Sequence, residues 1–218
     1  MNKFKLLWLC AVLGLMVGCA KGSNGLPYDA WRLGLGAPDY MEVWIETADA
    51  VDVRDRVFKR AMSGVAAINT PKNLKGHTRG WPSYPGWGAG KYVYGAAVPR
   101  LIYVRWQSLV EPQTYEAYIV IPEAIQQAMV KPEKAFCAAD AKWITGYRKG
   151  VTVGLAPGGI AKVWISGPCV SPIEVARVQG EVVKEGPDGG RSGGNYALPL
   201  KPETKAYIEK YGVPYGSW

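Results

Sequence analysis

Short runs of β-forming residues, separated by glycine, proline and other turn residues, fill most of the chain. The runs cover residues 31–36, 40–47, 61–68, 101–109, 114–121, 143–155, 160–166 and 173–183. Short strands at such close intervals are typical of antiparallel sheets. The pattern predicts a mainly β (α+β) fold, either an antiparallel β-sandwich or a strongly bent sheet.

An apolar face and a mixed face alternate along residues 115–121, because successive side chains of a strand point to opposite sides. The apolar side is formed by Tyr115, Ala117, Ile119 and Ile121, and the other by Glu116, Tyr118 and Val120. This alternation predicts a strand with one side on the core.

Two short helices are predicted among the strands. Pro122 suits the first helical turn, and Glu123 lies near the positive end of the helix dipole, so a helix is expected through Val130. A second helix is expected to begin near Lys201 and to stop at Gly212.

The stretch of residues 69–97 has no regular pattern and interleaves prolines and glycines with aromatic residues. Connections this long are usually functional or disordered, and aromatic and arginine side chains are enriched at binding hot spots. A partner-binding surface is therefore predicted at His77, Arg79, Trp81, Tyr84 and Trp87. In the alternative interpretation, these rings fold back and cover one open end of the sheets.

The first 18 residues predict an export signal, in which two lysines precede an apolar run at residues 6–16. Such a run is too short to span a bilayer, which takes about 20 residues. The Met-Val-Gly-Cys that follows resembles the lipobox of bacterial lipoprotein signals. That resemblance implies cleavage before Cys19 and acylation of Cys19, and two acyl chains hold a protein stably on a membrane.

The predicted organisation is a signal peptide at residues 1–18, a lipidated tether at 19–27 and a single β-rich domain at 28–218. The expected location is the periplasmic face of the cell envelope. The outer membrane is favoured over the inner one, because Ala20 is not the aspartate that typically retains lipoproteins on the inner membrane.

Two of the four cysteines are left for the folded domain, because Cys10 lies in the signal and Cys19 takes the lipid. In an oxidising periplasm, Cys137 and Cys169 are predicted to form a disulfide. Closing that loop would stabilise the fold by about 3–4 kcal/mol in the loop-closure treatment. The alternative is two free thiols.

The net charge and the histidine content limit the classes of function that the chain can have. The formal net charge is +8, and removing Lys3 and Lys5 with the signal leaves 24 basic against 18 acidic residues, or +6. This excess favours anionic partners. The expected periplasmic location makes nucleic acid an improbable partner. His77 is the single histidine, so His-based catalysis or metal binding would depend on one imidazole. No catalytic residue, metal or cofactor is predicted.

Two motifs that resemble parts of catalytic or phosphate-binding sites are better explained as structural elements. The sequence GLAPGG at residues 154–159 lacks the Lys-Ser/Thr of a phosphate-binding loop and is followed by β-formers, so it predicts a hairpin turn. Glu111 could be one of two carboxylates of a hydrolase. A buried or turn-capping acid is favoured, because a carboxylate at a strand end readily accepts backbone N–H bonds.

Three stretches resemble a family of bacterial lipoproteins known as domain of unknown function 2931 (DUF2931). They are PYDAWRLGLGAP at 27–38, VRWQSLVEPQTY at 104–115 and VGLAPGGIAKVWISG at 153–167. The resemblance covers most of the mature chain and implies a lipoprotein, but no activity. Envelope lipoproteins of this size also resemble the immunity proteins that neutralise secreted antibacterial phospholipases, such as type VI secretion effectors.

These observations predict a lipid-anchored periplasmic binding protein, an immunity-type inhibitor that occludes a secreted toxic effector. The alternative is a carbohydrate-binding envelope lipoprotein, in which Trp81 and Trp87 stack on sugar rings.

Overall fold

The computed structural model describes residues 24–218, so the predicted signal, Cys19 and most of the predicted tether lie outside the described residues. The described part contains twelve strands and two α-helices. The strands are β1 Ala30–Gly36, β2 Val43–Asp52, β3 Val57–Val65, β4 Ala89–Tyr94, β5 Pro99–Ser108, β6 Gln113–Val120, β7 Glu133–Cys137, β8 Lys142–Gly146, β9 Gly150–Ala156, β10 Ile160–Gly167, β11 Val170–Gln179 and β12 Glu181–Val182. The helices are α1 Glu123–Val130 and α2 Pro202–Tyr211.

The strands form two five-stranded sheets and one separate hairpin. Sheet A has the order β11-β10-β9-β1-β4, sheet B has the order β12-β6-β5-β2-β3, and β7 pairs with β8 alone. Neighbouring strands run antiparallel except β1 and β9, which run parallel. The prediction of a mainly β fold with antiparallel sheets and two short helices is confirmed.

Both sheets contribute to one main hydrophobic core. Leu33 and Val153 of sheet A and Ile45 and Ile102 of sheet B are fully buried in it. Removal of this apolar surface from water is the main source of stability. Trp31, which is one of two fully buried tryptophans among residues 24–218, also donates its indole N–H to the carbonyl oxygen of Ala97 at 2.9 Å.

Strand β6 has the two faces that its sequence predicts. Tyr115, Ala117 and Ile119 are buried in the core. Tyr118 and Val120, on the opposite face, are each 65% exposed. The outer face of sheet B is therefore open to solvent at this strand.

Some boundaries differ from those predicted. Strand β4 lies inside the stretch predicted to be irregular, and β7 was not predicted. The run at residues 143–155 forms parts of two strands, because residues 147–149 leave the sheet between β8 and β9. Leu26, which lies in the predicted tether, is 3% exposed and packs in the main core.

A buried carboxylate holds the end of β2. Asp52 is fully buried and accepts hydrogen bonds from the backbone N–H groups of Arg54, Arg56 and Ala97 and from the Arg56 guanidinium. Burial alone would raise the pKa of Asp52, but these hydrogen bonds outweigh it and hold the pKa below its ordinary value. Asp52 thus links the β2–β3 turn to the segment between β4 and β5.

Candidate functional site

Glycines line the outer face of sheet A, on the side away from the core. In the parallel register of β1 and β9, Gly34 lies beside Thr152 and Gly36 beside Gly154, with Gly150 at the start of β9. The alternate residues of both strands are large apolar side chains in the core. We call the surface formed by Gly34, Gly36, Gly150 and Gly154 the glycine face.

Residues 69–88 connect β3 to β4 and cross the glycine face; we call them the aromatic loop. The ring of Trp87 lies so close to Gly150 that a Cβ atom there would be 2.4 Å from Cζ3 of the indole. A Cβ atom at Gly154 would be 2.5 Å from Cη2 of Trp81. Because real Cβ atoms do not approach other atoms so closely, only glycine fits beneath the two rings.

Polar contacts hold the loop on the sheet near β1. The Arg32 guanidinium donates to the carbonyl oxygens of Trp87 and Gly88, the latter at 2.9 Å. The Thr152 hydroxyl donates to the Gly86 carbonyl at 3.1 Å. These contacts satisfy backbone carbonyls that have no strand partner, so the loop has a defined path without regular secondary structure.

The other end of the loop is held by the β1–β2 connection. Asp39 accepts hydrogen bonds from the backbone N–H of His77 at 2.7 Å and from the Asn69 amide at 3.2 Å. The buried Tyr40 donates its hydroxyl to the Pro71 carbonyl at 2.6 Å. Burial is the main cause that raises the pKa of Tyr40, which keeps the hydroxyl protonated as a donor.

The C-terminal segment braces the same region. The Thr78 hydroxyl lies 2.8 Å from the hydroxyl of Tyr207 on α2, and the Trp218 indole donates to the Thr78 carbonyl at 2.9 Å. The Tyr207 ring stacks on Tyr40 with centroids 4.4 Å apart. The loop is thereby fixed from three sides.

The five residues predicted to bind a partner divide into two groups. Trp81 and Trp87 are half-buried with their rings on the glycine face, so they fold back onto the outer side of sheet A and not over an open end of the sheets. His77, Arg79 and Tyr84 are exposed on the solvent side of the loop. The structure thus places the tryptophans as supports and leaves the other three available for contact.

A cavity of about 350 Å³ lies between the loop and sheet A. The rings of Trp81 and Trp164, with centroids 5.3 Å apart, form part of its wall. Asp39, Asn69 and His77 supply polar groups along the same cavity. This combination of aromatic surface and a few polar groups is common in sites for small polar ligands.

Sequence reasoning missed a second aromatic surface on the β7–β8 hairpin, residues 133–146, which we call the aromatic hairpin. Phe136 and Trp143 are directly opposite each other, with ring centroids 5.7 Å apart, and are 51% and 72% exposed. The available signal was the alternation of Lys134 and Phe136 ahead of a cysteine that fixes the opposite face.

The aromatic hairpin is fastened to the body at its base and along its inner face. Cys137 is disulfide-bonded to Cys169, so the predicted pairing is confirmed. The Arg148 guanidinium forms two hydrogen bonds with the Glu133 carboxylate, at 2.7 and 3.0 Å. An isolated two-stranded hairpin is at best marginally stable in water, so these links keep the exposed pair in place.

Glu111 occupies a structural position. Its Oε1 accepts the N–H of Gly158 at 2.8 Å and the hydroxyl of Tyr115 at 3.2 Å. Burial and then the nearby Glu111 charge raise the pKa of Tyr115. Glu111 therefore caps the β9–β10 turn, and both the predicted hairpin turn and the turn-capping interpretation are confirmed.

Residues 24–218 hold neither a cluster of metal-ligating side chains nor a membrane-spanning helix. In that range, no three His, Cys, Asp or Glu side chains come together in a group able to hold a metal ion. None of the helices described there has the length and apolar character needed to cross a bilayer.

The fold and the site define a mainly β protein with two five-stranded sheets on one core and an aromatic loop pinned to a glycine face. The model of a family described as protein of unknown function, DUF2931, matches residues 19–216. The chain belongs to this family. Comparisons with curated proteins and with solved structures found no match.

Proposed function

We propose that this protein is a lipid-anchored binding protein of the bacterial periplasm, and specifically an immunity-type inhibitor that occludes a secreted antibacterial effector of the phospholipase class. The observation that carries the proposal is the aromatic loop, which lacks regular secondary structure and is nevertheless fixed on the sheet. Its exposed residues His77, Arg79 and Tyr84 form the proposed contact surface.

Preorganisation is the physical reason why such a loop suits inhibition. A flexible loop loses conformational entropy when it binds, and a loop already held in one conformation avoids most of that loss. Trp81, Trp87 and Arg32 hold the backbone from below. An exposed tyrosine and arginine on such a support are the residue types that dominate binding hot spots.

The anchor and the scaffold are further parts of the proposal. The signal-like segment and Cys19 support acylation and a periplasmic location. The two sheets on one core support a β-sandwich scaffold, which would carry the loop rigidly at a fixed distance from the membrane. A rigid scaffold with a preorganised loop needs no catalytic chemistry to block a substrate entrance.

A direct test starts from the gene next to that of this chain, which we expect to encode a secreted phospholipase, and purifies that effector as a catalytically inactive variant. Titration with the mature chain carrying Cys19→Ser should give nanomolar affinity. The Arg79→Glu/Tyr84→Ala variant should weaken binding at least 30-fold, the loss expected at a hot spot. A matched control on sheet B, Lys59→Glu/Tyr118→Ala, should bind normally. Unchanged affinity of the loop variant, or failure of the wild type to bind and to protect cells, contradicts the proposal.

A second candidate function, binding of an envelope glycan, is favoured by the cavity between the loop and sheet A. Trp81 and Trp164 could stack against a sugar, while Asp39 and Asn69 could bind its hydroxyls. Titration with soluble peptidoglycan fragments should quench tryptophan fluorescence in the wild type and not in Asn69→Ala. Absence of any change in the wild type at millimolar glycan removes this candidate.

A further inference from the structure

We propose that the aromatic hairpin is a membrane-docking element, which places Phe136, Trp143 and Lys134 against an anionic phospholipid surface beside the lipid anchor. This inference rests on the anchored location proposed above and is independent of any effector. It assigns an orientation to the protein on the membrane.

The hairpin has two chemically different faces. Phe136, Trp143, Lys134 and Thr145 share one face, because opposite residues of an antiparallel pair lie on the same side. This face is exposed at all four positions. The other face carries Cys137, which is buried and bonded to the body. The exposed aromatic face is thus fixed outward, where it contributes little to the hydrophobic core.

The charge of the hairpin region matches an anionic surface. Residues 131–149 contain five basic and two acidic residues, a net charge of +3. Both acidic residues are in ion pairs, Glu133 with Arg148 and Asp140 with Lys142. Lysines beside tryptophan and phenylalanine are the residues that settle at a membrane interface, because the rings enter the headgroup region while ammonium groups meet lipid phosphates.

The path of the N-terminal segment places the proposed anchor close to the hairpin. The Tyr28 ring contacts Tyr147, which directly follows β8, with centroids 5.5 Å apart. The Asn24 side-chain amide donates to the Asp29 carbonyl at 3.3 Å, which holds Asn24 close to the residues next to Tyr28. Cys19 precedes Asn24 by five residues, which span at most about 18 Å. An acyl chain on Cys19 would therefore hold this edge of the body at the membrane.

Two exposed tyrosines lie on the strand that pairs with the residues after Tyr28. Tyr94 of the edge strand β4 is paired with Ala30, two residues after Tyr28. Tyr92 and Tyr94 are both exposed, with ring centroids 5.9 Å apart. Tyrosine is enriched at the level of lipid headgroups, so these two rings would also favour a membrane close to the N-terminal segment.

The test uses the complete mature chain with Cys19→Ser, so that no acyl chain contributes. It should co-sediment with vesicles of phosphatidylglycerol and phosphatidylethanolamine, and bind vesicles of phosphatidylcholine at least tenfold more weakly. Phe136→Ala/Trp143→Ala should lower the partition coefficient on anionic vesicles at least tenfold. Lys131→Glu/Lys134→Glu should lower it roughly fivefold or more for each lysine replaced.

Tyr118→Ala, which removes an equally exposed ring from sheet B, is the matched control and should bind the vesicles like the wild type. Thermal unfolding confirms that each variant is folded. The proposal is overturned if the wild type does not bind anionic vesicles. It is also overturned if Phe136→Ala/Trp143→Ala binds vesicles normally and no longer binds the effector. Effector binding without vesicle binding would leave the proposed inhibitor standing and reject only the docking element.

Discussion

The two aromatic regions of this protein use the same residue types in opposite ways. In the aromatic loop, Trp81 and Trp87 lie against the glycine face and support the backbone. In the aromatic hairpin, Phe136 and Trp143 point into solvent, although their strands are as firmly held. The difference shows that an aromatic cluster in a sequence does not reveal whether its rings are supports or contacts.

What decides the direction is the surface beneath the rings. The loop crosses a sheet whose residues on that side are glycines, which leave room for an indole at van der Waals distance. In the hairpin, the inner face is bonded to the body through the disulfide of Cys137. The outer face, with Phe136 and Trp143, has no sheet of glycines against which its rings could pack. Rings bury themselves where a complementary surface exists and stay exposed where none does.

The largest expected effect comes from removing the disulfide. Cys137→Ser/Cys169→Ser should lower the free energy of unfolding by about 3–4 kcal/mol, the loop-closure value for a 32-residue separation. Hydrogen exchange should speed up in residues 133–146 and remain unchanged in residues 69–88. Equal loosening of both regions would show that they are not held independently.

Exchanging single tryptophans compares the two regions directly. Trp81→Ala should destabilise the fold by about 3 kcal/mol, because it removes a ring packed on sheet A. Trp143→Ala should change stability by less than about 0.5 kcal/mol, as surface substitutions do. Urea unfolding measures both changes in the free energy of unfolding. Similar losses of stability in the two variants would contradict the assignment of Trp81 as a structural support and Trp143 as an exposed contact residue.

Filling the glycine face sharpens the same comparison. Gly150→Ala should cost about 1–3 kcal/mol and displace Trp87, because the new Cβ would overlap its ring. Gly36→Ala is the matched control on this face, since its Cβ would lie 3.5 Å from the nearest atom, an ordinary contact. Limited proteolysis should cleave the aromatic loop in Gly150→Ala only. A loop that resists cleavage in this variant would contradict the packing of Trp87 on the glycine face.

An effect of similar size is expected at Asp52, which fastens the segment after β4. Asp52→Asn should cost about 1–3 kcal/mol at neutral pH. Because the folded pKa of Asp52 lies below its ordinary value of 3.8, the stabilisation is present above about pH 4 and is lost as the pH falls through the folded pKa. Urea unfolding at pH 7 and pH 3 should show a gap between wild type and variant that narrows in acid.

Much of the sheet structure was predictable, because alternation and turn residues act locally. The two faces of β6, the turn at Gly158 and both helices followed from such patterns. The disulfide was predictable from the expected compartment and the number of cysteines. These features depend on residues that are close in sequence or on simple elimination.

The candidate site was only partly predictable, because it depends on contacts between distant segments. The glycines of β1 and β9 form one face only because the two strands pair in parallel, and nothing in either segment's sequence predicts that pairing. Strand β4 was hidden among the glycines and tyrosines of the irregular stretch, where its pairing with β1 makes it regular. The hairpin was missed because β7 has only five residues, and three of them, Glu133, Lys134 and Ala135, are not typical β-formers.

Hydroxyl-radical footprinting of the folded protein, read by mass spectrometry, tests the contrast between the two aromatic regions most directly. Trp143 should be oxidised fast, Trp81 several times more slowly, and the fully buried Trp106 least of all. Oxidation of Trp81 at the rate of Trp143 would mean that the loop does not rest on the glycine face, and the account of both regions would fail.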